Sequence, residues 1–234
     1  MLKHSIFLRI YAGLVILVVL VALFGYLLVQ IINYQRAQEY RESLTDGMAY
    51  IISEGIARQP NEQQRMDWIS DASNLLELPI YYVKADKVDL TRAEAKRIEE
   101  RKAVVRWDAQ TNVAYIIIGL KDDAGHLLYI KAENITERQM KALPVFVLDY
   151  LVYYPGQEKE YLQRIQHYFA YPLQIEDVKN LPLDSEQIGR LRLDHSIILY
   201  RDSATVRGTT ISIVSPIPSS TTEVLVMGPV PLFN

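Results

Sequence analysis

The sequence predicts an α+β protein: one N-terminal transmembrane helix, then two tandem copies of an α+β unit with mostly antiparallel sheets backed by helices. Three observations predict it. No charged residue stands between Arg9 and Arg36, and Ile10 to Val29 is almost uninterrupted apolar sequence. Beyond Arg36 the chain alternates short helix-like and strand-like patterns. That remainder also aligns with itself when shifted by 93 residues, with Trp68 falling on Tyr161.

A helix of twenty residues such as Ile10–Val29 rises about 30 Å, the hydrocarbon thickness of a bilayer. A buried core helix is the alternative, but core helices are usually amphipathic and this run is apolar all round. A cleaved signal peptide has a shorter apolar region and a small-x-small cleavage site, and none follows here. An uncleaved anchor is therefore expected over residues 10–32. Lys3 and Arg9 precede it, so the positive-inside rule leaves residues 1–9 in the cytoplasm and the bulk on the far side.

The elements after the anchor follow from periodicity and punctuation. From Ala37 to Arg58 the apolar Tyr40, Leu44, Met48, Ile51, Ile52 and Ile56 recur at helical spacing. This predicts a helix continuous with the anchor and stopped by Gln59-Pro60-Asn61. A second helix is expected from Glu62 to Leu76, then a strand over Leu78–Val83. Thr91 and Glu94 form a capping box opening a helix to about Arg101. Strands follow at Ala103–Trp107, Val113–Gly119 and His126–Ala132, with Asp122-Asp123-Ala124-Gly125 as the last hairpin turn. Val113–Leu120 does not alternate, which suggests a central strand covered on both faces. From Thr136 the pattern is helical again, with a kink or restart expected at Pro144. Tyr150, Tyr153 and Tyr154 are expected on one helical face before Pro155-Gly156 breaks it.

The repeat organises the rest. At the same shift Pro79-Ile80 falls on Pro172-Leu173, Thr91 on Asp184, Glu94 on Gln187, and Trp107 on Tyr200. Beyond Trp107 the spacing loosens by three or four residues, so that Gly208–Val214 and Val224–Met227 become the last two strands of the second copy. The division falls near Ile135, giving a first unit over 33–135 and a second over 136–234.

Composition narrows the function classes. Two of the 25 basic residues, Lys3 and Arg9, precede the anchor and all 28 acidic residues follow it, leaving −5 on the exported side. Such weak acidity argues against nucleic acid as a partner. There is no cysteine, so no disulfide can replace a hydrophobic core. The histidines His4, His126, His167 and His195 stand far apart, with no acidic or cysteine partner at ligand spacing. Phosphate loops and hydrolase signatures are missing. The pairs Asp122-Asp123 and Glu99-Glu100 could hold a weakly bound cation, but a solvated turn and a helix end explain them as well. Asn134-Ile135-Thr136 is a glycosylation sequon only in a eukaryotic secretory setting. Tyrosines between Tyr150 and Tyr171 suit sugar stacking, or equally a core or dimer surface. No catalytic, cofactor-binding or metal-binding residue is therefore assigned, and no cofactor is expected.

One resemblance is carried by the KHSIFLRIY start, by the anchor flowing into a helix, by LPLDSEQIGRLRLDHSIILY, and by the closing VLVMGPVPLF. In these features the sequence resembles sensor histidine kinases of the RstB/BfmS type. The resemblance covers the whole chain, although this chain carries a second, N-terminal copy of the unit that the shorter pattern lacks. It implies a homodimeric receptor in the bacterial inner membrane, with its bulk in the periplasm and a second membrane helix after the Gly228-Pro229-Val230-Pro231 segment. It also implies a cytoplasmic kinase part acting on a response regulator, under control of an envelope ligand or protein, in envelope stress, biofilm or capsule control. No phospho-accepting histidine motif or ATP-binding box is present in these residues, so any kinase activity would belong to a longer parent. The alternative reading is a single-span envelope scaffold or assembly protein with no kinase.

Overall fold

The computed structural model describes residues 2–108, 110–133, 136–203 and 208–231. The chain divides into two compact units, Met1–Arg41 and Glu42–Asn234. The first helix, α1 (Leu2–Ala57), supplies the whole of the first unit and the opening of the second. Among the described residues it is the one helix long and apolar enough to cross a membrane, with mean hydropathy 2.2 over its most apolar window.

Within Glu42–Asn234 the expected elements appear in the expected order. They are α2 (Glu62–Leu76), β1 (Ile80–Lys84), α3 (Arg92–Glu99), β2 (Val104–Asp108), β3 (Val113–Leu120) and β4 (Asp123–Ala132). The second copy follows as α4 (Glu137–Leu151), α5 (Glu158–Ile165), β5 (Leu173–Asp177), α6 (Ser185–Arg192), β6 (Ile197–Ser203), β7 (Gly208–Pro216) and β8 (Glu223–Pro231). Each copy folds one four-stranded antiparallel sheet, ordered β1-β4-β3-β2 and β5-β8-β7-β6. The registers match as well. Ile80 pairs with Ile130 as Leu173 pairs with Met227, and Val104 pairs with Ile117 as Ile197 pairs with Val214. Ile80 and Leu173 are 93 residues apart and Ile117 and Val214 are 97 apart. The added residues lengthen the strands of the β6–β7 hairpin, β6 running two residues further and β7 starting two residues earlier than their counterparts β2 and β3.

Capping decides where the crossover helices start. The Thr91 hydroxyl accepts from the Glu94 amide at 3.3 Å, and the Glu94 carboxylate accepts from the Thr91 amide at 2.8 Å. Asp184 and Gln187 repeat this reciprocal pair at 2.8 and 3.0 Å. Such a cap is worth about 1 kcal/mol. Arg106 of β2 donates to the same Glu94 carboxylate at 2.8 and 2.9 Å, tying the start of α3 to the sheet. That hydrogen bond holds the Glu94 carboxyl down at about 2.

Each sheet is covered on both faces. On one side of the first sheet Ile118, Leu128 and Ile130 pack against Ala49, Ile52 and Ile56 of α1 and Ile69 of α2. On the other, Val104, Ile117 and Leu127 pack against Ile98 of α3 and the Ala85–Val88 turn. Ile117 and Ile118 are neighbours, so they point to opposite faces and both are buried. In the second sheet Ile213, Leu225 and Met227 meet α4 and α5, while Val214, Val224 and Val226 meet Leu191 of α6. The core around α4 also takes in Met48 and Ile51 of α1 and Ala72 and Leu76 of α2. One stretch of α1 thus serves both cores: Met48 and Ile51 the second, Ala49, Ile52 and Ile56 the first.

Three local expectations shift. The β3–β4 turn is Lys121-Asp122, because Leu120 pairs with Asp123 across an irregularity in register at Gly119/Leu120. Asp123-Ala124-Gly125 therefore belong to β4. Pro144 lies inside α4 without ending it; its side chain is fully buried, and packing compensates for the lost amide donor. Helix α4 stops at Leu151, so Tyr150 is helical and Tyr153 and Tyr154 lie beyond its end. The sequon residues Asn134 and Ile135, the division near Ile135, and the closing Leu232-Phe233-Asn234 lie outside the described residues.

Candidate functional site

Polar and aromatic groups gather at three places in Glu42–Asn234. The first is a clamp on α1. Arg97 bridges Glu42 at 3.2 Å and Asp46 at 3.1 Å, and the Ala103 amide donates to Asp46 at 2.8 Å. About two turns further along, the Lys121 amide donates to Ser53 Oγ and its Nζ meets Glu54, both at 3.0 Å; Arg101 lies 3.5 Å from Glu54. Burial pushes the Asp46 carboxyl above its ordinary value, although Arg97 and the Ala103 amide pull the other way.

The second place is the Tyr82–Asp123–His126 group at the open end of the first sheet. The Tyr82 hydroxyl donates to Asp123, whose carboxylate also lies 3.0 Å from His126 Nδ1. The Tyr82 and His126 rings stack at 4.4 Å. Burial and the Asp123 carboxylate push the Tyr82 hydroxyl up to about 12. Burial raises Asp123, but the Tyr82 and His126 hydrogen bonds outweigh it and leave its carboxyl below the ordinary value. His126 thus has an acidic partner, contrary to the sequence expectation. The start of β4 brings Asp123 back onto it, which spacing along the chain did not suggest.

The third place is a cleft of about 280 Å³ where α1, α2 and α4 meet. Its walls include Arg58, Trp68, Phe146, Asp149, Tyr150 and Tyr153. Gly55 makes room for one wall: a Cβ there would stand 2.6 Å from the Trp68 ring, so the indole lies directly on the α1 backbone. The Arg58 guanidinium sits 4.3 Å from the centres of both the Tyr150 and Tyr153 rings and donates to the Tyr154 hydroxyl at 3.2 Å. Tyr154 in turn stacks on Tyr161. Such cation–π contacts are worth about 0.5–2 kcal/mol each. Burial and the hydrogen bond with Tyr50 push the Tyr150 hydroxyl well up, so it stays neutral. Asp149 is raised by burial alone.

The other sequence candidates resolve into ordinary surface chemistry. Glu100 pairs with Lys96 and Lys102. His167 Nδ1 meets the Arg164 carbonyl at 2.8 Å. Among the described residues no group of three His, Cys, Asp or Glu side chains could hold a metal ion. The tyrosines Tyr150, Tyr154, Tyr161 and Tyr168 do converge, around Arg58 and around Tyr50, which stacks on Tyr168 at 3.9 Å. Trp68 is legible as a repeat match to Tyr161, but Arg58 and Asp149 carry no sequence signal of their own. Helical phasing alone would place Gly55 and Arg58 on one side of α1, but nothing in the chain says that α4 comes to meet them.

No protein-family model matches this chain, and no curated protein matches it.

Proposed function

We propose that this chain is the membrane anchor and periplasmic sensor module of a two-component sensor histidine kinase, acting as a homodimer in the bacterial inner membrane. The reading rests on the RstB/BfmS-type features of the sequence. One structural observation supports it above others: the helix that contains the apolar span also contributes buried residues to both sheet units. A mere tether needs no such sharing. A helix packed into both cores, and clamped through Glu42, Asp46 and Glu54, has a preferred position for each arrangement of the two units. A stimulus that favours one arrangement then biases the helix by its differential affinity for the two states. In this account β8, running through Gly228-Pro229 to Pro231, provides the second connection toward the membrane. The output is kinase or phosphatase activity toward a response regulator, supplied by a cytoplasmic part of a longer parent.

The test is on the whole gene product. Membranes holding it should incorporate acid-labile, base-stable phosphate from ATP and pass it to the response regulator encoded beside it. A gene that stops after Asn234, or a full-length product that takes up no phosphate, would replace this reading with the envelope scaffold.

A further inference from the structure

The two copies differ where the crossover helix meets its sheet. In the first copy α3 lies directly on β3 at Gly119. A Cβ there would stand 2.7 Å from Ile98 Cγ2 and 3.1 Å from the Ile98 carbonyl oxygen. Gly119 pairs with Leu127, and the matching position of the second sheet, paired with Val224, is Pro216. Pro216 lies two residues past Val214, so its ring points to the same side of β7, the side that α6 covers. Leu191 of α6 corresponds to Ile98 at the 93-residue shift. The proline ring therefore denies α6 the close approach that glycine gives α3. The hairpins differ as well, the Lys121-Asp122 turn becoming a six-residue loop over 217–222. Between that loop, α6 and the 178–183 segment a cleft of about 520 Å³ opens.

We propose that this cleft binds a medium-chain fatty acid, its alkyl chain inside and its carboxylate at the mouth. Val178, Leu181, Leu183, Ile188, Leu191 and Pro216 make the lining aliphatic, and no aromatic ring joins them among the described residues. Such a lining suits a flexible alkyl chain, whereas planar ligands gain most from aromatic partners. The volume lies within the range of small-molecule sites. At the mouth stand the exposed Lys179 and Arg192, with the acids Asp177, Asp194 and Glu223. Two of these acids are already engaged: Asp177 accepts from the Lys179 amide at 2.9 Å, and Glu223 pairs with Lys159 at 2.6 Å. The two cations orient an anionic head, while burial of the chain supplies the affinity. This binding does not depend on the sensor reading above.

Photolabelling of the full chain in phosphatidylcholine nanodiscs tests this, with dodecanoic acid carrying a mid-chain diazirine as the probe and mass spectrometry to map the labels. Labels should fall on the stretches Leu181–Leu191 and Pro216–Val224, and excess unlabelled dodecanoate should remove them. Dodecyltrimethylammonium should need about tenfold more for the same effect, a difference of about 1.4 kcal/mol. Leu183→Trp and Ile188→Trp place a ring in the cleft and should each cut the label by a similar factor. Both positions are half-buried, so the melting temperature should hold. Labels missing from the two stretches, as when the probe enters only the bilayer around Ile10–Val29, would overturn the proposal. So would labels that dodecanoate leaves in place, equal competition by the ammonium, or undiminished label in either folded variant. The competition experiments need no variant, so a misfolded substitution leaves the proposal exposed to them.

Discussion

Phe169→Ala should destabilise the domain by about 3–5 kcal/mol, the usual cost of emptying a large aromatic site in a core. Phe169 is 6% exposed and closes the core that α1 shares with the second unit. Its ring lies in a notch on α1: a Cβ built on Gly47 would stand 2.3 Å from it. Gly47→Ala should therefore cost about 1–3 kcal/mol by overpacking, despite alanine's better helix propensity. The double variant should lose less than the sum, because the new methyl enters space that Phe169 has vacated. Urea unfolding in detergent, followed by tryptophan fluorescence, measures all three. Strict additivity would show that the ring and the notch are not in contact.

Asp46→Ala should cost about 1–3 kcal/mol, because it leaves the Ala103 amide without its acceptor and takes from Arg97 one of its two carboxylate partners, Glu42 remaining. Its side chain is 14% exposed, so water replaces those bonds poorly. Asp46→Asn should cost much less. An amide oxygen still accepts from Ala103, and the charge itself is held against a desolvation penalty that already raises the carboxyl. The same penalty sets a pH dependence. A carboxyl raised on folding is better tolerated protonated, so its contribution weakens as pH rises through its folded value and Asp46→Asn removes that part of the profile. An Asp46→Asn variant as unstable as Asp46→Ala would mean that the ionic part of the clamp dominates.

Much of this fold was legible because its signals are local. The Thr91–Glu94 and Asp184–Gln187 boxes marked two helix starts, and the apolar Val113–Leu120 run marked a doubly covered strand. The internal repeat then carried each reading from one copy to the other. The less legible parts depend on contacts between copies. Nothing in Met48 or Ile51 says that they face a different sheet from Ala49 and Ile52. The Arg58–Tyr150–Tyr153 stack joins residues about ninety positions apart. In sequence Asp123 reads as a turn residue, and only the actual register sets it between Tyr82 and His126.

In the sensor reading proposed above, α1 passes the state of both sheet units to the far side of the membrane. The measurement that tests this most directly is phosphorylation by the full-length gene product, the kinase of that reading, with proline at Met48 or at Ala49. Proline inside a helix removes a hydrogen bond and strains the turn before it, at about 3 kcal/mol, and here it falls where α1 turns one side to each core. Protease resistance of the part that carries the two sheets establishes that the variant tested remains folded. The account predicts phosphorylation changed by about fivefold or more, the scale of ordinary allosteric coupling. A folded variant with wild-type phosphorylation would contradict it.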